Sequence, residues 1–306
     1  MKRFDVIIVG GSYAGLAAGM ALGRALRNVM VIDSAKPANR QTPFAHNFLT
    51  MDGVSPAALH ARAREQVAFY PTVRFMDGLV TGATKTETGF EISISTSETF
   101  QAVKLIFATG IKDLYPGING FADSWGISVL HCPYCHGYEV RNAKTGVLGN
   151  GDSGFEFAKL LSNWTKQLTL FTNGNSTLTF DQKYQLAKHS ISAVEVGIAS
   201  LEHINGYLTH INGYLTHIQL KDGMMFPLIA LYAQVPFEQH CRVPFELGCE
   251  LTEEGYIKTD ALFRTTVTGI YACGDNVSRI RTVANAIAMG TTTGMMLNKE
   301  MIMDAF

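Results

Sequence analysis

The stretch Gly10-Gly11-Ser12-Tyr13-Ala14-Gly15 decides how this chain folds. Residues 4–9, an apolar run rich in β-branched side chains, precede it and are typical of a buried parallel strand. Residues 16–27 predict a helix after the loop, and residues 29–32 predict a second strand that ends at Asp33. This order is the Rossmann fingerprint, in which the helix N-terminus meets a pyrophosphate and the acid binds a ribose hydroxyl.

A second copy of the pattern follows in the middle of the chain. Residues 145–148 predict a strand, and Gly149-Asn150-Gly151-Asp152-Ser153-Gly154 matches the glycine spacing in full. A helix over 155–164 and a strand over 167–171 complete it. The strand ends in Thr172-Asn173-Gly174, which offers neither an acid for a ribose 2′-hydroxyl nor an arginine for a 2′-phosphate. Use of NAD(P)H therefore stays open, although Asn173 offers a hydrogen bond to a free ribose hydroxyl.

Between the two loops lies His131-Cys132-Pro133-Tyr134-Cys135-His136-Gly137-Tyr138-Glu139. Two thiols at this spacing can meet across one turn and form a reversible disulfide. The motif also matches covalent haem attachment, half of a zinc site or a purely structural disulfide, each of which the context disfavours. A non-enzymatic redox-sensing flavoprotein is a further alternative. We predict a redox-active pair that works beside a bound cofactor, and no metal site.

The composition of the chain limits which classes of function are possible. The 306 residues suit two domains, and the formal net charge of −1 with 47% hydrophobic residues describes a soluble globular protein. We expect no nucleic-acid partner and no membrane partner, because no polybasic stretch or bilayer-length apolar run occurs. The first strand starts too early for a signal peptide, and five cysteines favour a reducing compartment, so we expect a cytoplasmic protein. Cys241, Cys249 and Cys273 are interpreted as apolar fillers.

Further motifs indicate a family. Residues 105–110 form an apolar strand that ends in Ala-Thr-Gly, and residues 269–275 repeat this theme as Gly-Ile-Tyr-Ala-Cys-Gly-Asp. With the two glycine loops and the Cys-x-x-Cys in this order, the chain resembles the low-molecular-weight thioredoxin reductase family over essentially its whole length. The resemblance implies an α/β fold with two Rossmann-like nucleotide-binding domains, the second inserted into a discontinuous FAD domain. It places the FAD domain at 1–113 and 242–306, and the inserted NAD(P)-binding-like domain, with the redox pair, at 114–241.

The resemblance also implies the cofactors and the residues that bind them. FAD would be held by Gly10, Ser12, Ala14, Gly15, Asp33, Arg40, Gln41, Asn47, Thr109, Gly110, Gly274, Asp275, Thr282 and Val283. NAD(P)H would be held by Gly149, Gly151, Asp152, Ser153 and Gly154. His46, next to Asn47, falls among the expected flavin contacts.

The same resemblance implies the catalytic roles. Cys135 would face the flavin, Cys132 would exchange with substrate, and His136 stands where the family has a proton-carrying Asp. The partner would be a thioredoxin-like protein or a small disulfide or dithiol, and the chain would form a homodimer. The Cys-x-x-Cys-His-Gly-Tyr-Glu form is also similar to FAD-dependent dithiol oxidases such as the fungal gliotoxin oxidoreductases, which pass electrons to oxygen. The electron donor and the direction of turnover stay open.

A tandem repeat interrupts the second domain. Residues 203–209 read His-Ile-Asn-Gly-Tyr-Leu-Thr, and residues 210–216 repeat them without change. Because Asn-Gly favours two-residue hairpin turns, we predict a three-stranded meander over 201–204, 207–211 and 214–220. The alternative is a metal site formed by His203, His210 and His217.

Overall fold

The structure, a computed structural model, describes residues 2–204 and 213–306. Its strands are β1 Arg3–Val9, β2 Val29–Asp33, β3 Val73–Asp77, β4 Val80–Thr86, β5 Gly89–Ile94, β6 Thr99–Phe107, β7 Ile111–Asp113, β8 Val129–Leu130, β9 Thr145–Leu148, β10 Leu168–Phe171, β11 Ser192–Val194, β12 Ile198–Ile204, β13 Tyr214–Leu220, β14 Met225–Pro227, β15 Ala230–Ala233, β16 Phe237–Gln239 and β17 Ile270–Ala272. Its helices are α1 Tyr13–Arg24, α2 Pro56–Ala68, α3 Phe121–Ser124, α4 Pro133–His136, α5 Gly151–Leu161, α6 Phe180–Lys188, α7 Val243–Glu246 and α8 Val283–Ala305.

The chain divides into two compact units. Unit 1 comprises Met1–Arg40, Phe48–Lys112 and Phe237–Phe306, and unit 2 comprises Gln41–Asn47 and Asp113–Pro236. Unit 1 therefore resumes at Phe237 rather than at 242. The assignment of Gln41–Asn47 to unit 2 was not predicted, and it follows from contacts such as the hydrogen bond from Gln41 Nε2 to the Ala122 carbonyl oxygen, 3.2 Å.

The main sheet of unit 1 has the order β3-β2-β1-β6-β5-β4, with β17 also paired to β6, and β16 and β7 form a separate two-stranded sheet. The pairs among β3, β2, β1, β6 and β17 are parallel, whereas β4 and β5 are antiparallel to their neighbours. Both sheet faces are buried, since alternate residues of β1 belong to two separate apolar clusters. Helix α1 also packs closely on α8, because a Cβ at Gly294 would lie only 2.8 Å from the Ala18 carbonyl oxygen.

Unit 2 contains a parallel sheet in the order β11-β10-β9-β15-β8 and an antiparallel sheet in the order β12-β13-β14. Phe157 and Leu161 of α5 join one apolar cluster with β9, β10 and β15. A second cluster joins Phe121 and Trp125 to the antiparallel sheet. Each unit thus has its own core and its own sheet with a set of parallel strands, which confirms the predicted fold class.

The helices after the glycine loops begin earlier than predicted. Helix α1 starts at Tyr13 rather than 16, and α5 starts at Gly151 rather than 155. Apolar periodicity marks only the part of a helix that faces the core, whereas the first turn here belongs to the glycine loop. The backbone N–H groups of that turn are the groups that can bind a phosphate.

The predicted meander is wrong in its strand order. Strand β13 pairs directly with β12, with His203 opposite Leu215, and it pairs with β14 on its other edge. The expected neighbour of β13, residues 207–211, lies outside the described residues. Within residues 2–204 and 213–306, the structure contains no helix that is long and apolar enough to span a membrane.

Candidate active site

The first glycine loop brings β1, α1 and β6 into close contact. Gly10 has a φ of +107°, and a Cβ at this position would collide with the Ala108 carbonyl oxygen. A Cβ at Gly15 would collide in turn with the carbonyl oxygen of Gly10. Ser12 precedes α1 without donating or accepting a capping hydrogen bond among the described residues, and the first turn carries no acidic side chain. The N-terminus of α1 is therefore suited to an anionic ligand.

Asp33 lies beside this loop at the end of β2. A Cβ on Gly11 would be 2.7 Å from the Asp33 Cβ, so only glycine lets the carboxylate approach the loop. The carbonyl oxygen of Gly11 makes a second contact, because His60 Nε2 lies 2.8 Å from it. Asp33 thus has the position in which a Rossmann acid binds a ribose hydroxyl, whereas the need for Gly11 was missed.

The end of β17 completes the same edge of the sheet. Gly274 has a φ of +92°, and a Cβ there would lie 3.0 Å from the Ala14 Cβ. Asn276, which is fully buried, donates from Nδ2 to the Phe107 carbonyl oxygen at 2.8 Å and approaches Thr109 Oγ1 at 3.5 Å. Asn276 therefore ties the end of β6 to the segment after β17, a role that the sequence did not indicate.

The other predicted FAD residues lie in several places. Thr282 Oγ caps α8 by accepting from the Asn285 N–H at 3.2 Å, and Val283 is the first residue of that helix. Asp275 Oδ2 lies 3.8 Å from Arg281 Nε, just before this cap. Arg40 donates to the Pro37 carbonyl oxygen at 3.3 Å in unit 1. Gly110 follows β6 with a φ of +63°, whereas Gln41 and Asn47 belong to unit 2.

Unit 1 by itself fits FAD. The glycine cradle, the uncapped α1 N-terminus and the Asp33 carboxylate meet at the carboxyl edge of a parallel sheet, where open α/β folds bind dinucleotides. Neither Gly10 nor Gly15 tolerates a side chain, so backbone rather than side-chain atoms form the floor of this cradle.

In unit 2, Cys132 and Cys135 form a disulfide with their Cα atoms 5.3 Å apart. Cys132 caps the single turn α4, and the Cys135 N–H donates to its Sγ at 3.2 Å. Pro133 begins the turn, whereas Tyr134 is 63% exposed. Both cysteines are half-buried, so a substrate can reach them.

His136 follows the disulfide and has an unusual protonation equilibrium. Burial, with a further contribution from the positive charge of nearby His46, lowers the pKa of His136 to about 4. The imidazole is therefore neutral at physiological pH and can accept a proton. By contrast, burial raises the pKa of the thiols of Cys241, Cys249 and Cys273, the last to about 12, which keeps them as unreactive thiols.

The second glycine loop has the same close packing but a different helix end. A Cβ at Gly149 would lie 2.8 Å from the Gly154 Cα, so strand and helix touch here as in the first loop. The Asn150 Oδ1 atom, however, accepts from the N–H groups of Gly151 at 2.9 Å and Thr177 at 2.8 Å. Asp152 in the first turn accepts from the Gln182 side chain at 2.7 Å. The Gly151 N–H, a first-turn donor of α5, is therefore already used by the Asn150 side chain.

The end of β10 lacks side chains for a 2′-phosphate. The Thr172 hydroxyl donates to the Gly174 carbonyl oxygen at 2.6 Å, and Asn173 Oδ1 accepts from the Ile198 N–H at 2.8 Å. The side-chain oxygen of Asn173 therefore makes a structural contact, and the hydrogen bond to a ribose hydroxyl stays a prediction. Lys183, the nearest later cation in the sequence, pairs with Glu195 at 2.8 Å. The fold of this region fits a dinucleotide, but its side chains do not fit the extra phosphate of NADPH.

The histidine alternative gains no support within the described part of the chain. No group of three or more His, Cys, Asp or Glu side chains there could hold a metal ion. His203 lies 3.7 Å from Asp123, and His210 falls outside the described residues.

Comparison with known proteins gives the family. Residues 4–290 match the pyridine nucleotide-disulphide oxidoreductase family. Thioredoxin reductase tcpT of Claviceps purpurea is 31% identical, over 98% of this chain and 95% of that protein. The crystal structure of an oxidoreductase from Agrobacterium tumefaciens is 35% identical with a TM-score of 0.89, covering 99% of both chains. That of a putative thioredoxin reductase TrxB from Bacillus anthracis is 27% identical with a TM-score of 0.92, covering 99% of this chain and 100% of that one.

The fold and the redox disulfide thus define a flavin-dependent disulfide oxidoreductase. The chain belongs to the pyridine nucleotide-disulphide oxidoreductase family and is a thioredoxin reductase-like enzyme. FAD is its cofactor, as the family resemblance implied, and thioredoxin reductases of this family also use NADPH.

Proposed function

We propose that Cys132 and Cys135 are the catalytic pair, and that they exchange their disulfide with a substrate disulfide or dithiol. The observation that carries this proposal is the half-buried disulfide in a turn that also bears a neutral histidine. The remaining thiols of the described chain have raised pKa values because they are buried, so they are poor nucleophiles at neutral pH.

The exchange follows from thiolate chemistry. In the reductive direction, the Cys132 thiolate attacks one sulfur of the substrate disulfide, and the second sulfur leaves as a thiolate that takes up a proton from solvent. His136 then accepts the proton of the Cys135 thiol, and the Cys135 thiolate attacks Cys132 Sγ. The first substrate sulfur leaves and takes the proton from His136, so two electrons and two protons have passed to the substrate. Bound FAD supplies the two-electron chemistry that returns the pair to its starting state.

We propose that the FAD pyrophosphate binds at the α1 N-terminus over Gly10, Ser12, Ala14 and Gly15, and that Asp33 binds the adenosine ribose. Thr109, Gly110, Gly274, Asp275, Thr282 and Val283 would line the rest of the site, with Arg40 as a further contact; Gln41 and Asn47, which belong to unit 2, stay predictions of the family resemblance. The second loop, with Gly149, Gly151, Asp152, Ser153 and Gly154, would bind a nicotinamide dinucleotide weakly. The packing of both loops supports this assignment.

The substrate we propose is a thioredoxin-like protein or a small disulfide, and the active form a cytoplasmic homodimer. Relatives named thioredoxin reductase support the substrate class. The exposed Tyr134 beside the disulfide gives either kind of substrate an apolar contact.

Steady-state turnover of the FAD-loaded enzyme tests the proposal. We expect reduction of thioredoxin or of a small disulfide with an electron donor, and its loss in the Cys132→Ser/Cys135→Ser double variant. The reverse assay supplies a dithiol and measures oxygen consumption. Oxygen consumption that is fast where disulfide reduction is absent would replace the reductase assignment with a dithiol oxidase, and activity retained in the double variant would remove the pair from the mechanism.

A further inference from the structure

An exposed aromatic ring lies between the two redox cysteines. Tyr134, within the single turn α4, is 63% exposed, whereas the cysteines before and after it are half-buried. Its ring meets the indole of Trp164 edge to face, with the ring centroids 5.4 Å apart and the ring planes at 89°. Two rings at right angles, one of them open to solvent, therefore stand beside the disulfide.

The Trp164 indole is held against the redox turn by contacts of its own. A Cβ on Gly137, the residue after α4, would lie 2.7 Å from the indole Cδ1 and Nε1 atoms, so only glycine lets the indole approach the turn this closely. The Trp164 carbonyl oxygen accepts from the Asn142 N–H at 2.9 Å, and the Trp164 N–H donates to the Leu161 carbonyl oxygen at 3.0 Å. The indole therefore has a defined position, and the Tyr134 ring packs on it.

A pair of perpendicular rings is suited to a third flat ring. Aromatic rings prefer offset-stacked and edge-to-face arrangements. A ring that stacks on the open face of Tyr134 is at right angles to Trp164, so both preferred arrangements are available to it. A saturated group of the same size buries a similar apolar area but lacks the interaction between ring quadrupoles. The pair therefore favours an aromatic group over a saturated one.

The charges around the ring pair are mostly basic. Residues 137–144 and 162–167 are joined by backbone hydrogen bonds, and they carry Arg141, Lys144 and Lys166 but only one acid, Glu139. Although aromatic faces also attract cations, these basic side chains repel an ammonium group. A neutral or anionic ring therefore fits this surface better than a cationic group does.

The size of the ring pair indicates a small substrate. Tyr134 lies next to both cysteines in the turn, so a ring reaches it only from a position a few bonds away from the reacting sulfur. Two side chains are far smaller than the roughly 800 Å² that each partner buries in a stable protein–protein interface. A single ring substituent on a small disulfide meets both conditions.

We propose that Tyr134 and Trp164 determine the specificity of the exchange, and that they select a small disulfide or dithiol with a neutral or anionic aromatic ring next to its sulfur. Tyr134 contacts the ring, and Trp164 is a positioning residue that holds Tyr134. The inference rests on the proposed exchange at Cys132 and Cys135, because only a substrate whose sulfur reaches this turn brings its ring to Tyr134.

Single-turnover exchange between the reduced holoenzyme and two matched disulfides tests the proposal. One disulfide carries a benzyl group on each sulfur and the other a cyclohexylmethyl group, and both bear a carboxylate for solubility. We expect the wild type to react about two- to tenfold faster with the benzyl disulfide. In Tyr134→Leu, which keeps an apolar side chain, this ratio should fall to about one, with the cyclohexylmethyl rate changed by less than about twofold.

Tyr184→Leu is the matched control. Tyr184 is a 59% exposed tyrosine on α6 of the same unit, and its replacement should keep the wild-type ratio. Trp164→Leu should lower the ratio, whereas Trp164→Phe should retain more of it, since a ring remains behind Tyr134. A merely structural role of Trp164 would slow both disulfides equally. Because Tyr134 is exposed, its variant decides the proposal even where a Trp164 variant fails to fold.

Equal rates for the two disulfides in the wild type, or an unchanged ratio in Tyr134→Leu, would overturn the proposal and leave the proposed function standing. Slower exchange of Tyr134→Leu with oxidised thioredoxin alone would also overturn it, because the ring would then serve a protein partner. If the wild type exchanged with neither disulfide nor with thioredoxin, the proposed function would fail, and the inference with it.

Discussion

Gly15 and Gly10 pack so closely that no side chain fits between the α1 backbone and the Gly10 carbonyl oxygen. We therefore expect Gly15→Ala to release FAD, because the added methyl group would push α1 away from β1 and spoil the pyrophosphate cradle. The measurement is the ratio of flavin to protein after gel filtration. Gly82→Ala is the control, since nothing lies within 4 Å of a Cβ there. Full FAD content in Gly15→Ala would contradict the proposed site.

The two cysteines should fail differently when each is replaced. In Cys135→Ser, Cys132 can still attack a substrate disulfide, but no thiol resolves the product, so a covalent mixed disulfide should accumulate. In Cys132→Ser, the attacking thiol is missing and much less adduct should form. Intact-mass spectrometry after incubation with oxidised thioredoxin or a small disulfide measures the adduct. Equal adducts in both variants would refute the separate roles.

His136 should make stability depend on pH. Its pKa of about 4 in the folded protein lies below the value near 6.5 of an unfolded histidine. The stabilisation is therefore fully present above pH 6.5 and is lost as the pH falls toward 4, because the unfolded chain takes up the proton first. Between pH 7.5 and 5 this amounts to about 2 kcal/mol.

Urea unfolding of the oxidised protein at these two pH values measures the effect. His136→Asn should remove about 2 kcal/mol of the pH-dependent change and leave the contributions of other groups. An identical pH dependence in wild type and variant would show that His136 is not protected from protonation in the folded state.

The local parts of this fold could be predicted from sequence. The strands of both Rossmann patterns and their glycine loops follow from apolar runs and from positions where only glycine avoids a collision, such as Gly10 and Gly15. The helix starts were placed too late, because the first helical turn lies within the loop and carries no apolar pattern.

The parts that depend on distant contacts could not be predicted. Neither the membership of Gln41–Asn47 in unit 2 nor the pairing of His46 with Glu139 leaves a periodic or spacing signal in the chain. Asn276 was not predicted, because its role is a buried hydrogen bond to the end of β6 and such a bond leaves no pattern in the sequence. The glycine spacing of the second loop also does not predict that the Asn150 side chain accepts hydrogen bonds from the N–H groups of Gly151 and Thr177.

NADPH should not be strongly preferred over NADH, and either should reduce the flavin poorly. A 2′-phosphate carries about two negative charges and normally needs arginine, whereas β10 ends in Thr172, Asn173 and Gly174. At the α5 N-terminus the Gly151 N–H also donates to Asn150 Oδ1, so one donor of the first turn is used within the protein. Stopped-flow flavin reduction under nitrogen compares the two nucleotides. Fast, saturable reduction by micromolar NADPH, with NADH far slower, would disprove this prediction.

The number of electrons that the protein accepts tests most directly whether Cys132 and Cys135 work together with FAD. The oxidised holoprotein is titrated with dithionite under nitrogen while flavin absorbance and free thiols are measured. With two electrons for the flavin and two for the disulfide, we expect about four electron equivalents per chain and two new thiols. The Cys132→Ser/Cys135→Ser variant should accept about two. A wild-type protein that takes up only about two, with no new thiols, would contradict a redox-active pair coupled to FAD.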